Sequence, residues 1–153
     1  MLTVYLAGPM RGKPTTWRTT VMEATKAEAE KEGKKLDDLI TFLNPVASHE
    51  GGSVQTVSNY ITCASDLGMV DKADLVVFYD GEEMSEGGLL EFGYAVGSAK
   101  PVWVWTRRHF LHPLKAGMAR YIFSDVEALA KALVTLATKK SELLAAYEKV
   151  YGQ

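Results

Sequence analysis

Glu91 lies in Leu89-Leu90-Glu91-Phe92-Gly93-Tyr94-Ala95, an otherwise apolar segment. A carboxylate in such company costs free energy unless it is paired or hydrogen-bonded, which marks it as a candidate functional group. The plainer alternative is a glutamate on a solvated helix face, or one that complements the positive end of its helix. Just upstream, Gly87-Gly88 at a helix start lets backbone N–H groups face a ligand, and an anion there is favoured by the dipole. Ser85 adds a hydroxyl. A second candidate loop is Gly8-Pro9-Met10-Arg11-Gly12-Lys13-Pro14. Its glycines permit close backbone approach, and Arg11 offers a planar fork of donors suited to phosphate. The chemistry on offer is anion binding beside a carboxylate. The loop is not a Walker loop, because the glycine spacing is too short and Pro14 replaces Ser or Thr. It is not a dinucleotide fingerprint either. His109 and His112 have no third ligand nearby, so no metal site is expected. Asp66, Asp71 and Asp74 read, by type alone, as solvated more readily than functional.

These residues need elements to position them. Leu2 to Ala7 is a short apolar run closed by Gly8-Pro9 and reads as a buried strand. Thr16 to Glu32 reads as a helix stopped near Gly33. Strands are expected at Ile40 to Leu43, Leu75 to Tyr79, Pro101 to Trp105 and Tyr121 to Phe123, with helices at Val57 to Lys72 and Gly88 to Ser98. Trp103 and Trp105 alternate with Val102 and Val104, as in a strand buried on both faces. Asp125 to Val150 is the clearest helix. Its apolar stripe, interrupted by Lys140, packs on the sheet or forms a subunit seam with its C-terminal half. Strands alternating with helices imply an α/β fold: a five-stranded parallel sheet with helices on both faces. In such sheets ligands bind outside the carboxyl ends of the strands, so the loops after Ala7, Tyr79 and Trp105 should converge on the site.

The 153 residues suit one domain, 1–153, with a real core. With 17 basic and 19 acidic residues the net charge is −2, which argues against a nucleic-acid polymer as partner. Cys63 is the only cysteine, so neither a disulfide framework nor a cysteine-rich zinc site is expected. No apolar run is long enough for a membrane span, and the N-terminus does not read as a signal peptide. A cytoplasmic protein is expected.

Taken in order, these segments resemble the nucleoside 2-deoxyribosyltransferase superfamily, which includes the nucleoside 5′-monophosphate N-glycosidases. The resemblance runs over Val4-Tyr5-Leu6-Ala7-Gly8-Pro9-Met10-Arg11-Gly12, Asp66, Ala73-Asp74-Leu75-Val76-Val77, Ser85, Gly87, Glu91-Phe92-Gly93-Tyr94-Ala95 and Lys100-Pro101-Val102. It implies a flavodoxin-like (Rossmann-like) sheet and cleavage of the bond between base and sugar. It implies Glu91 as the nucleophile, Tyr5 as the group that orients it, and Asp66 as the residue that contacts the base or transfers a proton. It implies a small nucleotide or nucleoside substrate, no cofactor or metal, and a homodimer or higher oligomer. Met118 and Arg120 are then candidate contributions to a second subunit's site.

The position six residues before the nucleophile separates the branches. The transferases carry an aspartate there, for the sugar's 5′-hydroxyl; the monophosphate N-glycosidases carry serine, with arginine in the first loop. Ser85 and Arg11 resemble the latter, although Glu86 stands one position on. A carboxylate would repel a 5′-phosphate, whereas serine, Arg11 and a helix N-terminus favour it. The expected phosphate-binding set is Gly8, Met10, Arg11, Gly12, Ser85, Gly87 and Gly88. The expected reaction is hydrolysis of a (deoxy)nucleoside 5′-monophosphate through a glycosyl-enzyme. The alternatives are base exchange between deoxynucleosides and a non-catalytic nucleotide-binding module.

Overall fold

A computed structural model of the chain describes residues 1–9, 16–45, 59–81 and 85–151. The strands are β1 (Leu2–Ala7), β2 (Ile40–Leu43), β3 (Leu75–Asp80), β4 (Val102–Thr106) and β5 (Tyr121–Phe123). The helices are α1 (Thr16–Lys31), α2 (Leu36–Leu39), α3 (Asn59–Lys72), α4 (Glu86–Gly97), α5 (Pro113–Met118) and α6 (Val126–Tyr151). All strands pair in parallel in the order β2-β1-β3-β4-β5. This is the flavodoxin-like order, and its switch point falls between β1 and β3. Expected and observed boundaries differ by a residue or two; the expected start of α3 at Val57 lies outside the described residues. Two short helices, α2 and α5, were not foreseen.

The period-two alternation of strand side chains divides the core between the two faces of the sheet. Leu2, Val4 and Leu6 of β1 pack with Leu75, Val77 and Tyr79 of β3, under Trp17 and Val21 of α1 and Leu129 and Leu133 of α6. Tyr5 and Ala7 face the other way, with Val76, Phe78, Val102 and Val104, against Val70 of α3 and Phe92 and Ala95 of α4. This parity places the Tyr5 ring on the same face as α4. Trp103 and Trp105 are core residues, as their pattern suggested.

α1 stops where Gly33 takes φ +69, a conformation that favours glycine, and the Lys34 N–H returns to the Ala29 carbonyl at 2.9 Å. α6 packs on the sheet through Leu129 to Ala137, while Leu143, Leu144 and Tyr147 in its second half are exposed. Lys140 interrupts the apolar stripe because it reaches Asp74 Oδ2 at 2.6 Å, and the same oxygen accepts the Thr3 N–H at 2.8 Å. That contact ties α6 to the start of β1. No described helix is long and apolar enough to cross a membrane.

Candidate active site

β1 ends at Gly8, where φ is +146 and an added Cβ would stand 3.0 Å from Trp17 Cζ2. Only glycine fits such a corner without strain. The corner lies against the first turn of α4, since a Cβ on Gly88 would stand 2.9 Å from Gly8 Cα. Ser85 caps that turn: its Oγ accepts the Gly88 N–H at 3.0 Å. The Gly88 amide, expected to face a ligand, is therefore used within the helix cap, and Gly88 serves close packing. The hydroxyl proton of Ser85 is still able to donate outward. We expect Gly88→Ala to lower the thermal midpoint by about 4–8 °C, since overpacking a rigid corner costs ~2 kcal/mol. An unchanged melting curve would show that the corner yields.

Across this contact, Tyr5 and Glu91 meet. The phenol of Tyr5, fully buried, donates to Glu91 Oε1 at 2.7 Å. Glu91 is 8% exposed, and its second oxygen, Oε2, is buried with no hydrogen-bond partner among the described residues. Asp66, from α3, is also 8% exposed and close enough for its charge to act on both. Burial pushes the Glu91 carboxyl up to about 7. The Tyr5 hydrogen bond, the Arg18 charge and the Gly8 amide hold it down, and Asp66 adds to the rise. Tyr5 is itself pushed far up, by burial and then by the Glu91 charge, so it remains a hydrogen-bond donor. Among the described residues, the carboxylate thus has one oxygen anchored and the other without a hydrogen bond. Tyr5→Phe should raise the Glu91 pKa, because the lost bond favoured the ionised form. The rising limb of the activity–pH profile should then move to higher pH, with turnover down about 10-fold near neutrality. A limb that stays put would deny Tyr5 that role.

Asp80 closes β3 as a buried carboxylate, bound by Lys115 of α5, with Arg108 Nε at 3.9 Å and Thr106 Oγ1 at 3.4 Å. These contacts hold α5 and the preceding loop over the end of β4. Beside them a cavity of about 410 Å³ opens, walled by Phe78, Leu89, Phe92, Leu114 and Met118 and shared with Ser85. That volume is in the range of small-molecule sites. Glu91 is not among its walls; Leu89 and Phe92 face the cavity, whereas Gly88 and Glu91 face Gly8 and Tyr5.

The profile of the family described as nucleoside 2-deoxyribosyltransferase matches residues 4–142. The chain belongs to that family. Nucleoside 2-deoxyribosyltransferase family members are transferases or N-glycosidases acting on nucleosides or nucleotides. Among solved structures, the fold is similar to a 2-deoxyribosyltransferase from Bacillus psychrosaccharolyticus, with TM-score 0.68, 17% identity, and 84% of this chain and 90% of that one covered. It is also similar to the CMP N-glycosidase BcmB of Clostridium botulinum, with TM-score 0.53, 16% identity, and 86% and 97% covered. A molybdenum cofactor binding protein from Rippkaea orientalis gives TM-score 0.53 at 15% identity, covering 88% and 96%. Likenesses at such identities speak to the fold alone. A search of curated proteins by sequence gives no significant match.

Of the residues expected at the site, Tyr5, Gly8, Asp66, Ser85, Gly88 and Glu91 come together at the ends of β1 and β3. Gly87 is exposed in the same helical turn. Met118 and Arg120 are exposed, and Met118 lines the cavity. Met10, Arg11 and Gly12 lie outside the described residues. His112 accepts the Leu114 N–H as the cap of α5, and no metal-ligand cluster occurs among the described residues.

Arg18 was missed. It is 1% exposed, and its guanidinium donates to the carbonyls of Leu6 (3.2 Å), Gly8 (3.0 Å) and Pro9 (2.7 Å). The signal was its place on one helical stripe with Val21, Thr25 and Ala29, all buried. Asp80, a buried carboxylate, was likewise not among the expected site residues.

Proposed function

We propose that the protein cleaves the N-glycosidic bond of a (deoxy)nucleoside 5′-monophosphate, with Glu91 as nucleophile. The observation that carries the reading is the Glu91 carboxylate, buried, held by Tyr5 on one oxygen and, among the described residues, without a hydrogen bond on the other. An ionised oxygen held this way is preorganised for attack. Glu91 Oε2 adds to the anomeric carbon as the bond to the base breaks, and the electron pair leaves with the base. Protonated Asp66 supplies the proton that the base needs. Water then attacks the same carbon from the opposite face, Asp66 takes its proton, and the ester bond to Glu91 breaks. Two inversions give net retention, as in retaining glycosidases. The products are free base and sugar 5-phosphate.

Ser85 supports a 5′-phosphate rather than a 5′-hydroxyl: its proton donates to an anion, and neighbouring Glu86 is exposed. Arg11, Met10, Gly12, Gly8 and Gly87 complete the proposed phosphate site. A second copy of the chain would add Met118 and Arg120, whose exposure suits that role. A second reading rests on the family match itself: the same glutamyl intermediate, resolved by a second base, gives base exchange.

The test is chromatography of the protein incubated with nucleotides and their nucleosides, with and without an added base. Base released from 5′-monophosphates and not from nucleosides is the expected result. A new nucleoside built from the added base would move the reading to transfer. Binding without turnover of any substrate would reject catalysis.

A further inference from the structure

Arg18 presents a problem that its hydrogen bonds alone do not solve. Among the described residues it is the one buried cation, against the buried carboxylates Asp66, Asp80 and Glu91. Asp80 has its own cations in Lys115 and Arg108. Glu91 and Asp66 are the carboxylates whose charges act on Arg18. Taking a guanidinium out of water is costly unless charge and hydrogen bonding compensate it. Each of its three nitrogens has one carbonyl acceptor, and the face of Trp17, 4.5 Å from Cζ, covers it. None of these is an anion.

The groups that act on Glu91 come from three elements and a corner: the Tyr5 phenol from β1, the Asp66 carboxylate from α3, the Arg18 guanidinium from α1, and the Gly8 amide. Among the described residues only Arg18 brings positive charge. The same side chain fixes the corner, because Gly8 and Pro9 give it their carbonyls. The Gly8 N–H belongs to the Ala7–Gly8 peptide unit, which is restrained from both sides because Arg18 holds the flanking Leu6 and Gly8 carbonyls.

We propose that Arg18 is the positioning residue of the site: it fixes the Gly8 corner against Glu91 and is the buried counter-ion of that carboxylate. The catalytic consequence rests on Glu91 being the nucleophile; the charge pairing does not. Arginine suits both tasks, because its planar fork reaches several acceptors at once and its charge persists at every working pH.

The test uses Arg18→Gln, which keeps N–H donors and loses the charge, beside Arg18→Lys, which keeps the charge and loses the fork. Thermal midpoints are measured from about pH 5.5, where Glu91 is mostly protonated, to about pH 8.5, where it is ionised. The Gln variant should fall further below the wild type as pH rises, by about 5 °C across that span, while the Lys variant keeps a constant deficit. Where base release is present, its rising pH limb should move up by about one pH unit in the Gln variant and stay in place in the Lys variant. Folding of the Gln variant at low pH alone would also support the pairing. A constant deficit in the Gln variant would overturn it. So would failure to fold at every pH where the wild type folds, or a Lys variant weaker than the Gln variant at high pH. The melting series needs no turnover, so an inactive protein would reject the proposed function and leave the pairing decided by the midpoints.

Discussion

Glu91→Gln is expected to lower base release by about 10³-fold or more, measured at substrate saturation above neutral pH. The substitution keeps the shape and the Tyr5 contact, because the Gln carbonyl can still accept the 2.7 Å bond. It removes the charge and replaces the bare oxygen with a poor nucleophile. Residual turnover would come from Asp66 and substrate positioning alone. Glu91→Asp should also lose rate, about 10²-fold, since one methylene less withdraws the oxygen from the anomeric carbon. A Gln variant within tenfold of the wild type would remove Glu91 from covalent catalysis.

The same substitution should stabilise the protein, and only at high pH. Burial raises the Glu91 carboxyl from 4.5 to about 7. Below about pH 4.5 folded and unfolded chains are both protonated there, and the group carries no penalty. As pH rises towards about 7, the unfolded chain releases the proton while the folded one holds it, so stability falls. Above about pH 7 the full penalty applies, about 3 kcal/mol. Glu91→Gln has no such proton to lose. Its thermal midpoint should exceed that of the wild type by roughly 5–10 °C at about pH 8, with the gap closing as pH falls towards about 4.5. A gap independent of pH, or a less stable Gln variant, would mean that the folded state accommodates the charge without cost. The expected trade of stability for a poised group is common at active sites.

The strands were legible because a parallel sheet buries both faces, and its strands read as continuous apolar runs such as Leu75 to Tyr79. α2 and α5 were not, since four and six residues are too few to show a helical period. Glu91 stood out as a charge among apolar neighbours, which is a local signal. Its pairing with Tyr5 spans 86 positions, and no local pattern carries it; only the family resemblance implied that Tyr5 orients Glu91. The packing role of Gly88 was not legible, because a glycine at a helix start suits ligand approach and close packing alike, and here a strand corner stands against it. Arg18 was hidden by its neighbours: in a helix rich in Lys and Glu, one more charge reads as solvated, and only the stripe it shares with Val21 and Thr25 says otherwise.

The central claim is a covalent bond between Glu91 and the sugar. The direct measurement is rapid acid quenching during turnover of a nucleoside 5′-monophosphate, followed by mass analysis of the intact protein and its peptides. The account predicts added mass equal to one sugar phosphate residue, located on the peptide containing Glu91 and absent from Glu91→Gln. Adduct on another residue, or full-rate base release with inversion at the anomeric carbon and no adduct, would contradict it.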